Sequence, residues 1–131
     1  MVTGGYGSSG LTSVELLSSD GTRLCSMPRL PAARYRHSQS GLLACGGSHI
    51  SSEYKSCVTF AGGRWKKSHT LGKRRYALTA WASPQGVRLM GSTHSRTTTE
   101  LLTNTGRTIP SFSLGIKDSE CQVKFCWVRI N

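Results

Sequence analysis

The side chains with chemistry to offer in this 131-residue chain are five cysteines, four histidines, six carboxylates and an excess of basic residues. Cys45, His49, Cys57 and His69 come nearest to a metal-ligand set, in the spacing C-x3-H-x7-C-x11-H. Zinc ligands normally come in tighter pairs, so no metal and no cofactor is expected. Cys45 ends one apolar run and Cys57 begins the next. A hairpin joining those runs would put the two sulfurs within disulfide reach. In the other reading each is simply a small buried hydrophobe. The odd count leaves one thiol over, and Cys126 is the choice for it.

Catalytic groupings are scarce. A Ser-His-Asp set must draw on Asp20 or Asp118, and no G-x-S-x-G elbow accompanies the many serines. Paired carboxylates for glycoside cleavage would add Glu15, Glu53, Glu100 and Glu120. Glu15 and Glu100, however, hold corresponding places in a repeat, a spacing that no substrate imposes. They are expected to meet a framework arginine, Arg34 or Arg75, between strands. Gly5-Tyr6-Gly7-Ser8-Ser9-Gly10 has the letters of a dinucleotide loop, which must open a helix to aim its amides at a pyrophosphate. Leu11 to Glu15 is strand-like instead, so the segment reads as a hairpin connection. The chain is not expected to be an enzyme.

Six of the 17 basic residues, Arg64, Lys66, Lys67, Lys73, Arg74 and Arg75, fall within twelve positions, with Trp65, His69 and Tyr76 among them. Such a strip suits phosphate or sulfate groups, and its aromatic rings suit stacking on bases or sugars. Lysines on a strand edge also serve simply to discourage pairing with another chain. His49 and His94 stand in Ser48-His49 and Thr93-His94, 45 residues apart and each just past a glycine turn. Loops related in this way open on one face and offer a binding rim.

Positioning these residues falls to the repeat. Leu42-Leu43-Ala44-Cys45-Gly46-Gly47 is a short apolar run closed by a glycine pair, a buried strand ending in a tight turn. Val2-Thr3-Gly4-Gly5 precedes it and Val87-Arg88-Leu89-Met90-Gly91 follows, so that Gly4, Gly46 and Gly91 stand 42 and 45 residues apart. Beyond each glycine turn comes a second strand-like run, at Ser13 to Leu17, Ser56 to Phe60 and Thr99 to Leu102. Turns at Asp20-Gly21, Gly62-Gly63 and Thr105-Gly106 close these runs, their glycines 42 and 43 residues apart. Arginine-bearing segments, Arg34 to Ser38 and Arg75 to Trp81, then lead back to the next apolar run. A period in this range with about four short strands per unit predicts one propeller blade per repeat.

On the double glycine, the Glu or Val of the next strand, the turn glycine, Trp65 after Gly62-Gly63 and the Arg-x-x-His of Arg34 to His37, the chain resembles kelch-type β-propellers. It most resembles the divergent, cysteine-containing kelch-like group, whose blades read Cys-Gly-Gly, Ser-Cys, Gly-x-Trp and Leu-x-x-x-Arg. The resemblance implies an all-β fold, a partial kelch-like β-propeller of about three four-stranded blades. The blades would run approximately over 2–41, 42–86 and 87–125, leaving 126–131 as an unmatched tail. It makes Gly4, Gly5, Glu15, Arg34, His37, Gly46, Gly47, Trp65, Arg75, Trp81, Gly91 and Glu100 framework residues. Leu78 stands where the pattern has a second His, and Ser92 replaces a glycine.

Closed propellers carry about 4 to 8 blades, so three units would leave apolar faces and strand edges open. The preferred expectation is a fragment of a longer product. The alternative is a homodimer, in which two copies complete a six-blade ring. A formal charge of +11 favours anionic partners. No run of ~18 apolar residues spans a membrane, and Met1 opens no signal peptide. The cysteine placement favours an extracellular setting if the natural N-terminus lies upstream, and a cytoplasmic one otherwise. The expected function is that of a non-catalytic protein-interaction module. It would bind a partner through the inter-strand loops Gly5 to Thr12, Ser48 to Lys55 and Ser92 to Thr98, with Tyr6, His49 and His94 as contacts. The alternative is an extracellular polyanion- or glycan-binding module using Arg64, Lys66, Lys67, Lys73 and Arg74. A copper oxidase on the same scaffold would need a Tyr and His ligand set that cannot be placed in this sequence.

Overall fold

Short apolar runs closed by glycine turns favour strands over helices, and in the computed structural model every regular element among the described residues is a strand. The structure describes residues 1–92 and 97–113. His94, Cys121, Cys126, the strand-like stretch 119–125 and the tail 126–131 lie outside the described residues.

The first sheet is built from β1 (Val2–Thr3), β2 (Val14–Leu17) and β3 (Leu24–Met27), paired antiparallel in that order. A second sheet begins with β4 (Ser38–Ser40) and β5 (Leu43–Cys45). The small hairpin of β6 (Ser48–His49) and β7 (Ser52–Glu53) interrupts it before β8 (Ser56–Ala61) and β9 (Arg64–Thr70) complete the order β4-β5-β8-β9. The third sheet is the meander β10 (Tyr76–Ser83), β11 (Gly86–Ser92), β12 (Thr97–Thr103) and β13 (Thr108–Ser113). Each four-stranded sheet takes its first strand from ahead of the glycine turn, so the sheets are offset by one strand from the glycine-to-glycine repeat. The first sheet has three strands where four were expected.

Alternation along β5 and β8 gives the second sheet two apolar faces. Ala44 and Val58 point one way and are buried with Val14 and Leu30, against which Met27 and Trp65 pack. Cys45 and Cys57 point the other way and are buried with Leu71, Leu89 and Leu102. The second sheet is therefore the middle layer, covered by the first sheet on one face and the third on the other. Full burial of a side chain such as Leu89 or Leu102 contributes about 1.5–3 kcal/mol. No described helix is long and apolar enough to cross a membrane.

The glycine pair allows the layers to approach. Gly46 and Gly47 have φ of 63° and 86°, a region that costs side-chain-bearing residues energy. A Cβ at Gly47 would stand 2.7 Å from the Tyr35 carbonyl oxygen, and one at Gly46 would stand 2.8 Å from that of Arg75.

Candidate functional site

The repeated arginines tie one unit to the next. The Gly5 amide donates to the Arg34 carbonyl at 2.9 Å, and the Gly47 amide donates to the Arg75 carbonyl at 2.8 Å. Each arginine side chain then reaches forward into the following glycine turn. Arg34 Nη1 donates to the carbonyls of Gly46 and Ser56, both at 3.0 Å, and Nη2 donates to Ser56 Oγ. Arg75 Nη1 donates to the carbonyls of Gly91 and Thr98 at 3.1 and 2.9 Å. The corresponding atoms are thus bonded in successive units, and both arginines are buried.

Their counter-charges differ. Arg75 donates from Nε to Glu100 Oε1 at 2.7 Å and forms an ion pair with it through Nη2, while the Gly72 amide donates to Glu100 Oε2. In the second sheet the register place of Glu100 belongs to Val58, so that place offers Arg34 no carboxylate. Its Nε is buried without a hydrogen-bond partner, and its guanidinium lies 4.7 Å from the Tyr54 ring centroid. Burial pushes the Arg34 pKa below its ordinary value. Glu15 holds the same register place on the first sheet. There it is half-buried, and Arg34 turns towards Gly46 and Ser56 instead.

The remaining framework side chains serve the layers. Thr3 Oγ1 donates to Gln39 Oε1 at 2.9 Å and meets His37 Nε2 at 2.7 Å. A hydroxyl has one proton to give, so the His37 Nε2–H is the donor in that second contact. Desolvation, with help from the Arg34 charge, pushes the His37 pKa below its ordinary 6.5. Cys45 and Cys57 are directly paired across β5 and β8 and are joined by a disulfide. Cys25 is a free, exposed thiol. Trp65 donates from Nε1 to the Pro28 carbonyl and packs edge-on to Phe60. Trp81 lies exposed on the third sheet.

The loops at one end of the layers form an open cleft. Gly5, Tyr6, Tyr35 and Arg36 line a concavity of about 490 Å³. An adjoining one of about 250 Å³ is shared by Tyr35 and Arg36 with the Ser48–Glu53 hairpin and Tyr76. Tyr6 meets Tyr35 edge to face, with ring centroids 5.0 Å apart, and the Ile50 side chain of the hairpin is exposed. Arg36 and Ala77, each following the Arg-Tyr pair of its unit, have φ of 54° and 51°. This left-handed backbone is costly for residues other than glycine and is often held at binding sites. His49 lies in the same hairpin but packs against Gly10, away from the cleft lining. Tyr35, Arg36 and Ile50 were not selected from the sequence. The recurrence of Arg-Tyr at 34–35 and 75–76 is the signal that could have found Tyr35 and Tyr76.

The basic strip is divided by the fold. Arg64, Lys66 and Lys67 are exposed on β9, the edge of the second sheet. Lys73 and Arg74 are exposed in the loop beyond the far end of that strand, about 20 Å of strand from Arg64 and about 10 Å from Lys67. Arg75 is withdrawn into its ion pair. Lys66 and Lys67 pair with Thr59 and Val58, whose side chains point to opposite faces of the sheet. No group of three or more His, Cys, Asp or Glu side chains among the described residues could hold a metal ion. Neither a protein-family model nor a curated protein matches this chain.

Proposed function

We propose that the chain is a partial kelch-like β-propeller that serves as a non-catalytic protein-interaction module, engaging its partner at one rim of loops. One observation carries this reading. The glycine turn at Gly5 and Tyr6, the Tyr35-Arg36 bend and the Ser48–Glu53 hairpin, far apart in sequence, line two adjoining concavities that share Tyr35 and Arg36. Its walls are tyrosines, an arginine and an exposed Ile50, residue types suited to protein contacts because they bury large area at low conformational cost. Rigid layers beneath, tied by Arg34 and Arg75, would hold the loops in fixed relation. The basic strip, spread from Arg64 along β9 to Arg74 with Arg75 withdrawn into its ion pair, supports the polyanion reading less directly than the cleft supports protein contact.

The test is selection of displayed random peptides on the folded chain, followed by affinity measurement on variants. Peptides that bind the cleft lose about tenfold or more on Tyr35→Ala or Arg36→Glu and little on Lys66→Glu/Lys67→Glu. Loss on the lysine variants instead, with a steep decline in salt, would favour polyanion binding and count against the cleft.

A further inference from the structure

The two outermost sheet faces repeat the chemistry of faces that are covered inside the molecule. On the first sheet, Val2 holds the register place of Ala44 and Leu89, and Leu17 holds that of Leu102. Ala44 and Leu89 are 0% exposed and Leu102 2%, each packed against the preceding or following sheet. By contrast Val2 is 62% exposed, Leu17 50%, and Leu24, paired with Leu17, 60%. At the far side, Met90 and Thr99 hold the places of Cys45 and Cys57. They are only half-buried, and Trp81 and Ile109 on the same face are 40% and 47% exposed. Leu101 pairs with both Arg88 and Ile109, which completes a largely apolar face with one cation among its described residues.

We propose that these two faces mate between two copies of the chain, the third sheet of each covering the first sheet of the other. The molecule itself supplies the template. Its two internal layer contacts each join the later-facing side of one sheet to the earlier-facing side of the next, and the free faces are one of each kind. Charge agrees, since Glu15 stands on the first face and Arg88 on the other. The contact is heterologous, and with three layered sheets among the described residues of each chain two copies give six layers, a number within the range of closed rings. This inference is independent of the cleft.

The experiment is light scattering on the full chain at concentrations up to about 100 μM. The wild type should give twice the 14.2 kDa chain mass, held without any intermolecular disulfide on a denaturing, non-reducing gel. Leu17→Glu/Leu24→Glu and Trp81→Glu/Leu101→Glu should each weaken dimerisation by about tenfold or more. These positions are exposed or half-exposed, and circular dichroism with a cooperative thermal transition establishes that the variants fold. Mixing the two variants should restore a heterodimer, because one unaltered pair of faces remains between them. A wild-type monomer, a cross-linked dimer, larger open assemblies, a dimer indifferent to either variant, or a failure to restore pairing on mixing would each overturn the proposal.

Discussion

At the residue scale, the two arginines show what a buried guanidinium requires. Arg75 has a carboxylate on one edge and two backbone carbonyls on the other. Arg34 bonds the carbonyls of Gly46 and Ser56 and the Ser56 hydroxyl, beside the face of Tyr54. Removing one member of a buried ion pair leaves the other desolvated and unmatched, so Arg75→Leu is expected to cost about 3–5 kcal/mol. Chemical denaturation checks this, and a loss below ~1 kcal/mol would mean that the pair is no firmer than an exposed one. His37 gives a pH dependence of definite sign. Its folded pKa lies below 6.5, so below that value the unfolded chain binds more protons than the folded one, and stability rises with pH through the window. The contribution is complete above pH 6.5 and is lost as the medium is acidified through the folded value. Thermal midpoints at pH 7 and 5 should therefore draw closer together in His37→Gln than in the wild type. An equal spread in both proteins would remove His37 as a source. The recurrence of the arginines could be read in the sequence. Their partners could not, because the carbonyls of Gly46, Ser56, Gly91 and Thr98 look like any others until the turns are folded.

At the scale of elements, β5 and β8 are the strands on which the middle layer depends. They place Cys45 opposite Cys57, and the bridge closes a loop with a separation of 12 residues that contains the β6–β7 hairpin. A disulfide across such a loop contributes about 2–4 kcal/mol. Cys45→Ala/Cys57→Ala should lose that amount in denaturant unfolding, and reductant should lower the wild type to a similar stability. If reductant changes nothing, the thiols contribute only as small buried side chains. Apolar runs with glycine stops made these strands readable, since alternation and turn chemistry are local. The β6–β7 hairpin was read only as a loop, because two-residue strands carry too little pattern. The arginine-bearing segment before β4 carried no turn signal in the sequence, yet Arg36 turns it with a positive φ, next to the paired backbone bonds between Tyr35 and Ser48.

At the scale of the whole molecule, three sheets stack so that the middle one is covered on both faces, while among the described residues the outer two are each covered on one. That arithmetic of faces motivates the pairing of copies, because the repeat that buries Leu89 and Ala44 leaves Val2 and Trp81 facing outward. It also decides the fate of the basic strip, since β9 lies at a sheet edge and carries Arg64 away from Arg74. The sequence by itself determined the all-β class, the period of the units and the positions of their turns, because apolar alternation, glycine and chain spacing act locally. Only the tertiary structure decided which arginine has a carboxylate, which loops share a cleft and which apolar faces remain open. Those outcomes depend on residues brought together from different units, and register and layer order, unlike propensity, exist only once the sheets have packed.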